Sequence, residues 1–126
     1  MIRLATSRDV AVAVDFAADK RTEYEKYSPR FWRQALDARE RHAHFLEFCV
    51  HSENYTSLVE VEGFDVSGFL VATHDGQVSP FAEEQTSTWL IDDFLLANTA
   101  TWIREGKLLL DRLSLEAREQ IGRAHV

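Results

Sequence analysis

The stretch that most constrains this chain is 88–110, TWLIDDFLLANTATWIREGKLLL. It opens with Trp89, Leu90, Ile91, Phe94, Leu95 and Leu96, apolar on both alternating faces. A strand apolar on both sides belongs in the middle of a sheet covered on both faces. Asp92 and Asp93 interrupt it. Two adjacent carboxylates in a buried strand are costly unless paired, solvated or used. Alternation predicts that they point to opposite faces, so that one of them reaches a cleft beside the strand. Asn98 and Thr99 then offer helix-cap chemistry, and Leu108, Leu109, Leu110 and Leu113 recur at helical spacing. The unit reads as strand, short turn, helix. The first turn of such a helix presents free N–H groups and a partial positive charge, which suit an anion such as a pyrophosphate.

The rest of the chain supplies the partners of that unit. Ile2, Arg3 and Leu4 read as a short first strand. Thr6 and Asp9 form an approximate capping box. Val10, Ala13, Val14, Ala17 and Tyr24 then predict a helix to about Tyr27, broken by Ser28 and Pro29. A second helix is predicted from about Arg30 to His51, with Phe31, Ala35, Ala38, Phe45, Leu46 and Cys49 as its apolar stripe. Residues 55–62 and 66–73 read as a hairpin across Gly63, Phe64 and Asp65. Residues 75–85, holding Gly76 and Pro80, read as a loop, and the last helix extends to about Arg118. The order is strand, helix, helix, strand, strand, strand, helix, an α/β fold.

Composition narrows the function classes. The 126 residues allow one domain, and a net charge of −7 without a basic stripe disfavours nucleic acid. The single cysteine, Cys49, sits in an apolar helical run and reads as a buried thiol. No disulfide framework is possible, which fits a reducing cytoplasm. No segment reads as a signal peptide or reaches the length of a membrane span. His44, Glu47 and His51 could share a helix face, but His42 and His44 do not, and no metal is expected.

In this order of elements, and in the local wording IDDFLLAN and GKLLLDRL, the chain resembles the GNAT acyl-CoA-dependent N-acetyltransferases. The resemblance covers residues 1 to about 119. In that family the central strand is followed by a loop of pattern Gln/Arg-x-x-Gly-x-Gly/Ala that cradles the pyrophosphate of acetyl-CoA. Laid on that pattern, Gly106 keeps the last glycine, while Arg104 stands for the first and Thr101 for the Gln/Arg. The resemblance implies acetyl-CoA as co-substrate, no metal, and a primary amine as acceptor. It implies a mixed sheet that here stops after the central strand and its helix.

It also implies roles for particular residues. Main-chain groups of Phe94 and Leu96 would polarise the thioester and pair with the pantetheine arm. Trp102, Arg104, Gly106 and Lys107 are the phosphate candidates, either as a Gly-rich turn or, if Asn98 is the cap, as a helix N-terminus. Tyr24, Tyr27 and Trp32 border the acceptor cleft, or else pack the two helices together. Asp92 and Asp93 are candidate general bases, or else a pair satisfied at a β-bulge or by an arginine. The family's usual thiolate acid, a tyrosine on a later helix, has no counterpart here. The alternative is a non-catalytic module holding an acyl-CoA or a protein partner on a degenerate GNAT scaffold.

The last residues, Gln120 to Val126, read as QIGRAHV. That is the translation of a widely used sequencing adapter up to its stop codon. The expectation is that residues 120–126 lie outside the fold and that 1–119 are an incomplete domain, an inactive fragment from a metagenomic assembly. The unpaired edge of its central strand would then favour self-association.

Overall fold

The computed structural model describes residues 1–31, 33–75, 88–97 and 102–124. Trp32, most of the expected loop, and Asn98, Thr99 and Thr101 lie outside the described residues. The elements follow the expected order: β1 (Ile2–Leu4), α1 (Ser7–Tyr27), α2 (Ala38–His51), β2 (Tyr55–Glu62), β3 (Asp65–Asp75), β4 (Thr88–Leu96) and α3 (Trp102–Ala124).

α1 begins where the sequence says it should. Thr6 is extended, and its N–H donates to Asp9 Oδ2 at 2.8 Å. Arg3 grips both oxygens of Asp9 at 2.8 and 2.9 Å, tying β1 to the first turn of α1. Burial alone would raise the Asp9 carboxyl, but Arg3 and the Thr6 N–H outweigh it and hold the group below the ordinary range. The helix ends at Tyr27, with the Ser28 N–H donating to the Tyr24 carbonyl at 3.0 Å before Pro29.

α2 starts at Ala38, later than its apolar spacing predicts. After Pro29 the chain turns, with the Phe31 N–H on the Ser28 carbonyl at 3.2 Å. Glu25 Oε2 then accepts the Gln34 N–H at 3.0 Å, giving that backbone group a side-chain partner where a helix would offer a carbonyl. Phe31 and Ala35 therefore belong to a connecting segment, and the helical stripe is Leu46 and Cys49 with Phe45 beside them.

The sheet runs β1-β2-β3-β4, and all of its pairings are antiparallel. The mixed sheet implied by the resemblance is not seen among the described residues, because β4 pairs only with β3. Gly63 takes φ +64° at the first of two positions linking Glu62 to Asp65, where a tight hairpin turn requires a left-handed residue. α1 and α2 cover one face over Val59, Phe69, Val71 and Leu95. α3 covers the other, with Leu109 and Leu113 against Leu58, Leu70 and Ala72. Each fully buried Leu contributes about 1.5–3 kcal/mol by leaving water. α3 extends past its expected end near Arg118, and its backbone stays helical through 120–124, positions expected to lie outside the fold.

Candidate functional site

β4 carries the site, and a bulge shapes it. Val71 pairs with Asp93 and Ala72 with Ile91, which leaves Asp92 as the extra residue. The bulge changes the alternation read from the sequence. Thr73 Oγ1 donates to Asp92 Oδ2, and Asp93 Oδ2 meets His42 Nε2 from α2. Both carboxylates thus lie on the face covered by α1 and α2. Asp92 is exposed, whereas the side chain of Asp93 is 13% exposed and that of His42 18%.

His42 is fixed from both sides. Arg21 Nη1 lies 2.6 Å from His42 Nδ1. A guanidinium only donates, so Nδ1 is the acceptor and Nε2 carries the hydrogen that goes to Asp93. Arg21 Nε donates to Gln34 Oε1 at 3.2 Å. The line Gln34, Arg21, His42, Asp93 crosses from the connecting segment to the strand. It forms one wall of a cleft of about 410 Å³ lined also by Lys20, Tyr24, Phe31, Arg33 and Leu95.

The main chain of β4 faces two ways. The Ala97 N–H donates to the Ser67 carbonyl at 2.9 Å, so by strand alternation Leu95 and Asp93 bond toward β3. Phe94 and Leu96 therefore turn their N–H and C=O groups toward the edge away from β3. The Phe94 carbonyl accepts from Lys20 Nζ at 3.3 Å, which confirms that direction. Lys20 Nζ also stands 5.9 Å from the centre of the Tyr24 ring.

The other sequence candidates are distributed as follows. Tyr24 lines the cleft, while Tyr27 stands 90% exposed at the end of α1. Trp102, Arg104, Gly106 and Lys107 are all within α3, so the glycine lies inside a helix rather than in a turn before it. Arg104 is paired with Glu62 at 2.6 Å, Gly106 is buried and Lys107 exposed. His51 and Glu47 bind each other at 2.9 Å and Ser7. Among the described residues no group of three or more acidic, His or Cys side chains could hold a metal, and no helix is long and apolar enough to cross a membrane.

Sequence reasoning did not assign Arg21, Gln34 and Arg33 to the site, and it weighed His42 only as a metal ligand. His42 and Asp93 are 51 positions apart, and no local pattern joins them. The one available signal was the Lys20–Arg21 pair preceding Tyr24.

An antiparallel sheet flanked by two consecutive N-terminal helices on one face and one helix on the other, with a bulged strand beside a cleft, is the GNAT acyltransferase fold. Solved structures bear this out. The chain is similar to a Bacillus halodurans protein (22% identity, TM-score 0.69, covering 99% of this chain and 76% of that one). It is similar to an acetyltransferase from Vibrio fischeri (16%, 0.65, covering 95% and 88%). It is also similar to an aminoglycoside acetyltransferase from an uncultured soil metagenomic sample, solved in complex with sisomicin (16%, 0.61, covering 95% and 70%). No protein-family profile matches the chain, and no curated protein matches it in sequence.

Proposed function

We propose that this chain carries the acceptor side of an N-acetyltransferase that moves an acetyl group from acetyl-CoA to a primary amine. The observation that carries the reading is the adjacency of two kinds of group on β4. Asp93 faces the cleft, and the next residue, Phe94, begins the row of main-chain groups turned to the outer edge. In this reading the amine sits in the cleft and loses its proton to Asp93 as its nitrogen attacks the thioester carbonyl. The N–H groups of Phe94 and Leu96 stabilise the developing oxyanion and align the donor. The C–N bond forms, the C–S bond breaks, and coenzyme A leaves as its thiol once the sulfur is protonated. His42 and Arg21 are positioning residues that fix the Asp93 carboxylate. The N-terminal turn of α3, with Trp102 and Arg104, is the place for the pyrophosphate, as a helix N-terminus rather than a Gly-rich loop, and Gly106 and Lys107 stand in the turn behind it. Asp92, on the exposed bulge, is the weaker candidate base.

The outer edge of β4 has no neighbouring strand among the described residues. We propose that turnover needs a wall there which the described residues do not supply, so that the chain alone binds acetyl-CoA without transferring acetyl. Thermal melting with and without acetyl-CoA tests the binding. Release of coenzyme A thiol, measured on a longer form that turns over, tests the chemistry. There Asp93→Asn should lower kcat/KM by about 10²-fold or more. Stabilisation by acetyl-CoA with no acetylated amine in any form would leave a binding module instead. The same open edge should pair with a second copy, so light scattering at micromolar concentration should show a species larger than the monomer.

A further inference from the structure

The chain carries a net charge of −7, yet the cleft has the opposite character. Lys20, Arg21 and Arg33 line it against the single carboxylate of Asp93, with His42 between them held as a donor toward that carboxylate. Arg21 is the telling member. Its Nε and Nη1 are used by Gln34 and His42, while its Nη2 is buried and has no hydrogen-bond partner among the described residues. A buried guanidinium nitrogen without an acceptor is costly, and such an exception calls for an explanation. The same guanidinium lines the cleft, so an oxygen anion bound there would give that nitrogen an acceptor once the side chain turns toward it. Arg33, exposed on the connecting segment, adds a second cation on the same cleft. The remaining lining, Tyr24, Phe31, Ala17 and Leu95, is aromatic or apolar.

Resting on the acetyl-transfer reading, we propose that the acceptor is a zwitterion: an amine that also bears a carboxylate or a phosphate. The anion lies on Arg21 and Arg33, the amine is presented to Asp93, and an apolar body sits against Tyr24. One imidazole ring separates the two ends of the site, which fits a small molecule rather than a long polyamine. A polycation of the aminoglycoside kind would carry its charges toward Lys20, Arg21 and Arg33 and be repelled.

Calorimetric titration of the 126-residue protein with matched ligands tests this. Phenylalanine is compared with phenethylamine, phosphoethanolamine with ethanolamine, and spermidine is the polycation. The expected result is that at least one zwitterion binds about tenfold or more tightly than its partner lacking the anion. The pair showing the preference tells carboxylate from phosphate. Arg33→Gln, an exposed change, should shrink that preference without altering the melt. Equal or tighter binding of the bare amines or spermidine overturns the proposal, as does binding of none of the five. Acetyl-CoA is titrated separately. Zwitterion preference without acetyl-CoA binding keeps this proposal and removes the acetyl-transfer reading, and acetyl-CoA binding with spermidine preference does the reverse.

Discussion

The two faces of the sheet are built from the same strands and do different work. The α3 face is packed mainly by apolar groups: Leu58, Leu70, Ala72, Leu109 and Leu113 meet there beside the buried carboxylates of Glu60 and Glu105, and a Cβ on Gly68 would come within 2.9 Å of Leu109. The α1/α2 face shares its apolar cluster with a line of polar groups, Gln34, Arg21, His42 and Asp93, at the β4 end. One face holds the fold by volume and shape. The other gives part of its area to groups whose stability depends on their hydrogen-bond partners. The α3 face holds buried charges too, but Glu60 pairs with the Met1 amino group at 3.1 Å and Glu105 with Arg104 at 3.6 Å, whereas the line on the other face borders a cleft.

That contrast can be broken from either side. The largest effect should come from the apolar cluster under α3. Leu109→Ala should cost about 2–5 kcal/mol in urea unfolding, while ligand affinity of the folded fraction at the cleft stays unchanged. On the polar face, His42→Ala removes the acceptor of Arg21 and the donor of Asp93 together and should cost about 1–3 kcal/mol. A double-mutant cycle with Asp93→Asn should be strongly non-additive, whereas the same cycle with Leu109→Ala should be additive. Additivity in the first cycle would show that the line of hydrogen bonds does not act as a unit.

Smaller effects follow from titration. The folded Asp9 carboxyl lies below its unfolded value, burial opposing and Arg3 and Thr6 prevailing. Its contribution is therefore present above the unfolded carboxylate range and is lost as pH falls through the folded value. Asp9→Asn should flatten that acid limb of the stability curve. Cys49 runs the other way: burial first, then the charges of Asp92 and Asp93, push its thiol from 9.0 up to about 12. The neutral thiol favours the folded state, so this contribution is intact below pH 9.0 and declines as pH rises toward 12. With 1% exposure, Cys49 should react with a thiol reagent only at the rate of unfolding or local opening.

Much of the fold was legible because its signals are local. Thr6 and Asp9 mark the start of α1, Ser28 and Pro29 its end, and Gly63 the hairpin. The start of α2 was misplaced because Phe31 and Ala35 are spaced as a helical stripe would be, and spacing does not distinguish a helix from a segment whose apolar residues line a cleft. The position of Asp93 on the bulged strand was legible, but its partners were not. Arg21 and His42 reach it through tertiary packing, and Lys20 reaches the Phe94 carbonyl across 74 positions. From sequence the bulge is only one of several readings of Asp92 and Asp93, since an unpaired residue in an apolar run leaves no mark in composition.

Asp92 works as a change of parity. Before it, odd-numbered Trp89 and Ile91 align with His74 and Ala72 on the α3 side; after it, odd-numbered Asp93 and Leu95 align with Val71 and Phe69 on the other. Odd and even exchange meaning at one position, as a reading frame does at an inserted letter. Removing Asp92 alone would restore strict alternation and leave every other side chain of β4 on its present side. Removing Ile91 instead would ask Asp92 to take the place opposite Ala72, sending its carboxylate to the α3 side. The strand is thus two frames joined by one residue, and the join can be taken out without rewriting either frame.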